Sequence, residues 1–410
     1  MNPNVSQPLV AAQKESRLTI LSIACILGVL SAFGPFSIDM YLPALPGVAL
    51  TLGTTVSLAQ LSLTACLIGI ALGQIFVGPV SDVLGRRKPL LIGLFVYAVS
   101  SLCCVFTPTI GVFILMRFIQ GLAGAAGIVI SRAAVRDLYS GPKMTRFFSL
   151  LMLINGVAPI LAPVIGGQIL QFTSWRGVFI VLTGIGSLMM LTVFWGLKET
   201  LPPERRASGN LAHTSNTFRD LLQNRKFMGC ALSQGFVTAA MFAYISGSPF
   251  VVQNVFEVSP QIFSLIFAIN GLGIIIAGQV TGRMAGRIDE NKLLVFGLTM
   301  AFGGGMTLLA MIFVGGGLFT ILIPLFFVVS SVGVVGTSSF ALAMEDQAKN
   351  AGSASALIGL LSFILGGFMA PLVGISGSHN ALPMGITIAA AETAAVLCYY
   401  FLIKVNLRPA

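Results

Sequence analysis

Twelve apolar runs, each long enough to form a helix that crosses a bilayer, constrain this chain more than any other feature. A helix rises about 1.5 Å per residue, so the ~30 Å hydrocarbon core needs about 20 mostly apolar residues. Such runs lie near 18–42, 56–80, 89–106, 110–134, 145–170, 175–197, 227–252, 260–282, 292–314, 317–344, 352–375 and 382–404. They are numbered here as spans 1 to 12. The longest polar stretch between them runs from Lys198 to Lys226 and divides them six and six. In hydrocarbon each backbone polar group must find its partner within the protein, which favours helices. The reading is an all-α membrane protein with twelve transmembrane helices in two six-helix bundles. One bundle is expected over 1–197, a linker over 198–226, and the second bundle over 227–410.

Composition agrees. Hydrophobic residues make up 56% of the chain and charged ones 9%, against about 25% charged in a soluble domain. The net charge of +10 forms no single basic patch, so nucleic acid is not an expected partner. The six cysteines fall in apolar stretches and read as buried small hydrophobes, without disulfides. His213 and His379 are the only histidines, so no metal site and no catalytic cluster is expected. The glycine-rich stretches lack the Gly-Lys-Ser/Thr of a phosphate loop, which argues against ATP as a driving force. No cofactor and no enzymatic activity are expected, and the chain reads as a monomer. The polar segment Met1 to Arg17 has no small-residue cleavage site before the first apolar run, so no cleaved signal is expected.

Lysine and arginine set the topology. An even number of spans leaves both termini on one side, together with the loops after spans 2, 4, 6, 8 and 10. All but two of the 23 basic residues fall on that side: Arg117 lies within span 4 and Arg176 on the opposite side. The basic side is therefore expected to be cytoplasmic. Arg132 and Arg136, at the basic end of span 4, read as interfacial anchors.

The halves repeat. Gly78-Pro-Val-Ser-Asp82-Val-Leu-Gly85-Arg86-Arg87 follows span 2, and Gly278-Gln-Val-Thr-Gly282-Arg283-Met-Ala-Gly286-Arg287 follows span 8, an offset of 200 (278 − 78). Parallel repeats of this kind build two bundles related by an axis along the membrane normal.

These residues carry a resemblance. Gly78 to Pro89 resembles the signature loop of the major facilitator superfamily, and Arg117-Phe-Ile-Gln120-Gly121 its second motif. Pro159, Pro163, Gly166 and Gly167 in span 5 resemble the motif associated with antiporters, with Ala158 and Ala162 where that motif has glycines. Ser37-Ile-Asp39-Met-Tyr41-Leu-Pro43, Trp175-Arg176 and Lys198-Glu-Thr-Leu-Pro-Pro-Glu-Arg-Arg206 are similar to the Bcr/CflA group, bacterial drug:proton antiporters linked to bicyclomycin and chloramphenicol-type resistance. The resemblance is dense in the N-terminal half and thin in the C-terminal half. It implies proton-coupled efflux of small-molecule drugs by alternating access across the bacterial inner membrane. Proton-coupled uptake or export of a metabolite on the same scaffold is the alternative.

Charges inside spans are the natural functional candidates, because each costs several kcal/mol to place there. The acids clearly within spans are Asp39 and Glu392. Asp39 shares a helical face with Phe36 and Ala32, and Pro35, Pro43 and Pro46 should bend or end the helix around it. It reads either as a proton and substrate-cation site or as a helix-end acid in contact with water. Related multidrug carriers have a second acid two turns earlier. Here Ser31 and Ala32 stand on that face, which implies neutral or singly charged substrates. Arg117 reads either as a partner of Asp39 in proton coupling or as a structural arginine bonded to backbone carbonyls. Gln120, Gly121 and Gly124 share its face. Glu392 reads mainly as a neutral acid hydrogen-bonded to a neighbour, and otherwise as a second proton site.

Two further sets complete the reading. Gly78, Asp82, Gly85, Arg86, Arg87 and, across the loop, Asp137 are expected to form a conformational gate that ties helix ends together when the cavity faces outward. Phe36, Met152, Asn155, Tyr244 and Asn270 are expected to line the substrate cavity, since aromatic and flexible side chains suit varied apolar molecules. For each of these five, core packing is the competing explanation.

Overall fold

The computed structural model describes residues 17–139, 141–206, 219–345, 347, 351–375, 377 and 380–404. His213 and His379 lie outside them, as do residues 207–218 of the expected linker. Met152 sits in a described helix, but its side chain lies outside what is described.

Among the described residues, eleven helices are long and apolar enough to cross a membrane. The remaining span is the helix Ala351–Leu372, whose apolar portion is Leu357–Leu372. The helices are otherwise continuous through most spans: Val56–Leu84, Arg87–Val105, Ile110–Leu138, Gly141–Phe172 and Trp175–Gly196 form spans 2 to 6. Arg225–Phe250, Pro260–Met284, Glu290–Phe313, Leu318–Met344 and Leu382–Tyr399 form spans 7 to 10 and 12.

Span 1 departs from a single helix. It runs Arg17–Ser31, turns at Ala32 and resumes as Phe33–Asp39. Proline lacks an N–H, and its ring clashes with the carbonyl four residues earlier. For Pro35 that carbonyl belongs to Ser31, the last residue of the first segment. Beyond Asp39 the chain continues as a 3-10 turn, Leu42–Ala44, containing Pro43, and a short helix, Leu45–Thr51, with Pro46 in its first turn. The apolar run therefore ends as a stepped helix with a cap of short helices.

Spans 2 and 4 pack closely, as do spans 3 and 6 and, in the other half, spans 7 and 11 and spans 9 and 10. The two bundles meet chiefly through span 2 on span 11 and span 5 on span 8. A two-fold exchange of the halves turns the first of these pairs into the second, as the sequence repeat requires.

Four hydrogen bonds join the bundles among the described residues. Ser57 Oγ donates to the Pro371 carbonyl (3.2 Å) and Gln60 Nε2 to that of Ser246 (3.0 Å). Gln253 Nε2 donates to Pro43 (3.2 Å) and Gln261 Nε2 to Gly167 (3.0 Å). All four lie toward the side opposite the basic loops. The interface is thus latched at that end, and no described hydrogen bond or ion pair crosses it on the basic side.

Candidate functional site

The intramembrane charges meet around the second segment of span 1. Asp39 is its last residue and is 5% exposed. It takes part in no hydrogen bond or ion pair with a described residue. Arg117 is completely buried. Its Nη2 donates to the Ser37 carbonyl (2.7 Å) and its Nη1 to Gln120 Oε1. Gln120 Nε2 donates onward to Ser101 Oγ (2.7 Å). The guanidinium lies over the Tyr41 ring, 4.2 Å from its centroid, with Phe179 at 5.5 Å.

The interaction of Arg117 with Asp39, expected in one conformation of the cycle, is not made in this state. Side chains two residues apart on a helix point about 200° apart. Ser37 and Tyr41 are four residues apart and face Arg117 together. Asp39 turns to the other side, within electrostatic reach of Tyr244 in span 7. In this state Arg117 is held by a backbone carbonyl, as the structural reading of this residue expects.

Of the cavity candidates, two meet directly. Asn270 Nδ2 donates to Tyr244 Oη at 2.9 Å, and Tyr244 stacks on Phe267 with centroids 5.5 Å apart. Both are buried. Phe36 is half-buried, one turn from Asp39. Asn155 is also half-buried, but its amide is turned back to the Leu151 carbonyl (2.8 Å). Asp39, Tyr244 and Asn270 thus bring both bundles to one locus beneath the latched end, and Asn155 does not join them in this state.

The span 5 motif supports this locus from behind. Pro159 and Pro163 lie within the helix. Gly166 lies against the Met40 backbone so closely that a Cβ would overlap the Met40 carbonyl. Any side chain there would push away the residue next to Asp39. Gly167 accepts the Gln261 bond of the interface, so this pair of glycines touches both span 1 and span 8.

On the basic side the signature loop folds into a charge cluster. Arg86 Nη1 donates to Asp82 Oδ1 (2.6 Å) and Ser81 Oγ (2.7 Å), and Nε to Asp137 Oδ2 (2.8 Å). Gly85, at φ +88°, makes the turn that a side chain would strain. Gly78, one turn before Asp82, accepts the Ser81 hydroxyl through its carbonyl (2.8 Å). Arg87 Nη2 donates to the Phe194 carbonyl in span 6.

Sequence reasoning missed Glu199. Its carboxylate accepts the backbone N–H of Arg86 (2.7 Å), Arg87 (3.2 Å), Thr200 (3.1 Å) and Leu201 (3.1 Å). It therefore caps the start of span 3 from the end of span 6. Partial burial pushes its pKa up, but the backbone donors, led by Arg86, and the charge of Arg206 outweigh this and hold it below the usual glutamate value. Thr200 Oγ1 adds a bond to Asp137 (3.2 Å). The signal available was an acid directly after span 6, on the same side as the loop after span 2.

The cluster ties spans 2, 3, 4 and 6 of one bundle together. It is intact in this state, in which the bundles are latched at the far end. Glu392 differs from expectation as well. It is completely buried, facing Gly305 of span 9, and neither carboxyl oxygen has a hydrogen-bond partner among the described residues.

The profile of the Major Facilitator Superfamily matches residues 25–371. The chain belongs to that superfamily. It is 47% identical over 386 residues to the uncharacterized MFS-type transporter YdgK of Bacillus subtilis, covering 94% of this chain and 96% of the relative. It is 32% identical to the bicyclomycin resistance protein homolog of Haemophilus influenzae, over 97% of this chain and 98% of that protein. With the N-terminal motifs, this sets it in the Bcr/CflA group. Among solved structures, the D-xylose-proton symporter superposes with a TM-score of 0.73 at 14% identity, over 96% of this chain and all of that one. That likeness concerns the major facilitator fold alone. The chain is a multi-span membrane transporter of this superfamily, not an enzyme.

Proposed function

We propose that this transporter exports small, neutral or singly charged drugs in exchange for protons across the bacterial inner membrane, with Asp39 as the proton-carrying group and both termini cytoplasmic. The observation that carries the reading is the position of Asp39. It is a buried carboxyl with no hydrogen-bond or ion-pair partner among the described residues, within electrostatic reach of Tyr244 of the opposite bundle. An unpaired acid in low dielectric has a large free-energy difference between its charged and neutral forms. Any change in solvent access then changes its proton occupancy, which is what coupling to alternating access requires. The Tyr244–Asn270 pair beside it offers polar groups on an aromatic wall, suited to apolar molecules with a few polar atoms. Supporting the drug class are the relatives' names, a bicyclomycin resistance protein homolog and, at 28% identity, a chloramphenicol resistance protein of Pseudomonas aeruginosa.

On this reading the state described is open toward the cytoplasm, since the four cross-bundle bonds lie at the other end. The test uses everted vesicles carrying the chain. Adding bicyclomycin or chloramphenicol should release protons from the lumen, and Asp39→Asn should abolish that release while retaining counterflow of labelled drug. Proton release by Asp39→Asn at the wild-type ratio would sink the role of Asp39. Absence of any response by the wild type to either drug, with response to a metabolite panel, would overturn the drug assignment.

A further inference from the structure

Two lateral grooves run along the outside of the bundles, one between spans 2, 3 and 4 and one between spans 8, 9 and 10. They repeat at the offset of the sequence repeat: Gly73, Val80 and Leu84 line the first where Gly273, Val280 and Met284 line the second. The second has a volume of about 480 Å³, within the ~300–1,000 Å³ range of pockets that hold small molecules. Its walls are almost wholly apolar, and Ile276 and Phe296 along it are exposed. It opens outward from apolar spans, where bilayer hydrocarbon would lie, so its walls suit a lipid chain.

Its length is that of one leaflet. From Gly273 to Met284 the helix rises eleven residue steps (284 − 273), or ~16 Å, against half of a ~30 Å core. Its end on the basic side is marked by Lys292, in the first turn of span 9. Lys292 is exposed, and neither it nor Arg283 nor Arg287 takes part in an ion pair among the described residues. The two neighbouring acids are turned to backbone. Asp289 accepts the Lys292 N–H (3.1 Å), and Glu290 accepts the Gly286 N–H (3.3 Å). The first groove differs at this point. Ile92 stands where the second has Lys292, Arg86 and Arg87 are engaged in the charge cluster, and the exposed Lys88, next to Pro89, is not among the residues that line the groove.

We infer that the groove between spans 8, 9 and 10 is a binding site for one anionic phospholipid, with an acyl chain along Gly273–Met284 and the phosphate at Lys292. The groove between spans 2, 3 and 4 accepts a chain without selecting the head group. This asymmetry makes the site one of specific charge rather than general lipid contact.

The experiment is native mass spectrometry of the purified full chain in detergent, titrated with phosphatidylglycerol or phosphatidylethanolamine. Wild type should retain one phosphatidylglycerol in preference to phosphatidylethanolamine. Lys292→Gln should weaken phosphatidylglycerol binding about fivefold, the equivalent of ~1 kcal/mol per basic residue at an anionic surface, and leave phosphatidylethanolamine unchanged. Ile92→Lys should create a second phosphatidylglycerol site in the first groove. Ala277→Phe, which fills the second groove, should remove the preferred adduct. Equal retention of the two lipids by wild type, or unchanged phosphatidylglycerol binding by Lys292→Gln, would overturn the site. An Ala277→Phe protein that keeps the adduct would show that the lipid sits elsewhere. Lys292 is exposed, so its variant keeps the test decisive should Ala277→Phe fail to fold.

Discussion

Arg117 donates to the backbone carbonyl of Ser37 at 2.7 Å and leaves Asp39, two residues on, to the far side of the same helix. The fixed positive charge and the titratable acid are thereby on different faces of span 1. One braces the segment, and the other lies within electrostatic reach of Tyr244 in the opposite bundle. Gln120 and the Tyr41 ring complete the arginine's surroundings.

The separation predicts additivity. Arg117→Ala should lower stability in detergent by about 3 kcal/mol, because it opens a cavity and leaves buried acceptors unpaired. Arg117→Lys should recover part of this. Asp39→Asn should change stability little, and the double variant Asp39→Asn/Arg117→Lys should add within ~0.5 kcal/mol of the single effects. Thermal unfolding of the four proteins checks this. A coupling well above that limit would restore the ion pair.

Glu199 gives the charge cluster a pH dependence. Its folded pKa is lowered, so the stabilisation it contributes is complete above its unfolded value, about 4.3. That stabilisation is lost as pH falls through the lower folded value. Glu199→Gln should therefore cost up to ~1 kcal/mol at pH 7, reduced because the group is largely exposed. The gap between variant and wild type should close below about pH 4. Melting curves between pH 3 and pH 8 measure it, and a gap that persists at low pH would argue for lost packing instead.

The same cluster predicts a transport defect without an insertion defect. Asp82→Asn removes one of the two carboxylates on Arg86 and little volume. Efflux should fall several-fold while the amount of protein in the membrane stays at the wild-type level. Unchanged efflux would reduce Arg86 and Arg87 to topology signals.

Glu392 should be dispensable for coupling. Neither carboxyl oxygen of Glu392 has a partner among the described residues, and a buried polar group left unsatisfied costs about 1–3 kcal/mol, which an apolar side chain of similar size avoids. Glu392→Met is expected to raise the melting temperature and preserve drug-induced proton release. Loss of proton release in a stable Glu392→Met protein would make it the second coupling acid.

The one-dimensional pattern determined the number of spans, the division at Lys198–Lys226 and the concentration of basic residues on one side. Those follow from bilayer thickness and the cost of moving charge, which act on each segment separately. Even the stepped end of span 1 was legible in part, because Pro35 acts on a carbonyl four residues away in its own helix. The partner of Arg117, the cap supplied by Glu199 and the isolation of Glu392 were not. Each depends on which way a side chain points after a bend or a turn, and on which helix packs against it. A turn of 100° per residue, together with the step at Ala32, separates the Ser37 and Asp39 faces. Only the packed bundles decide which face meets span 4 and which turns away from it. The latched end was likewise decided by tertiary structure, since Gln60, Gln253 and Gln261 become latches only when the opposite bundle brings a carbonyl within reach.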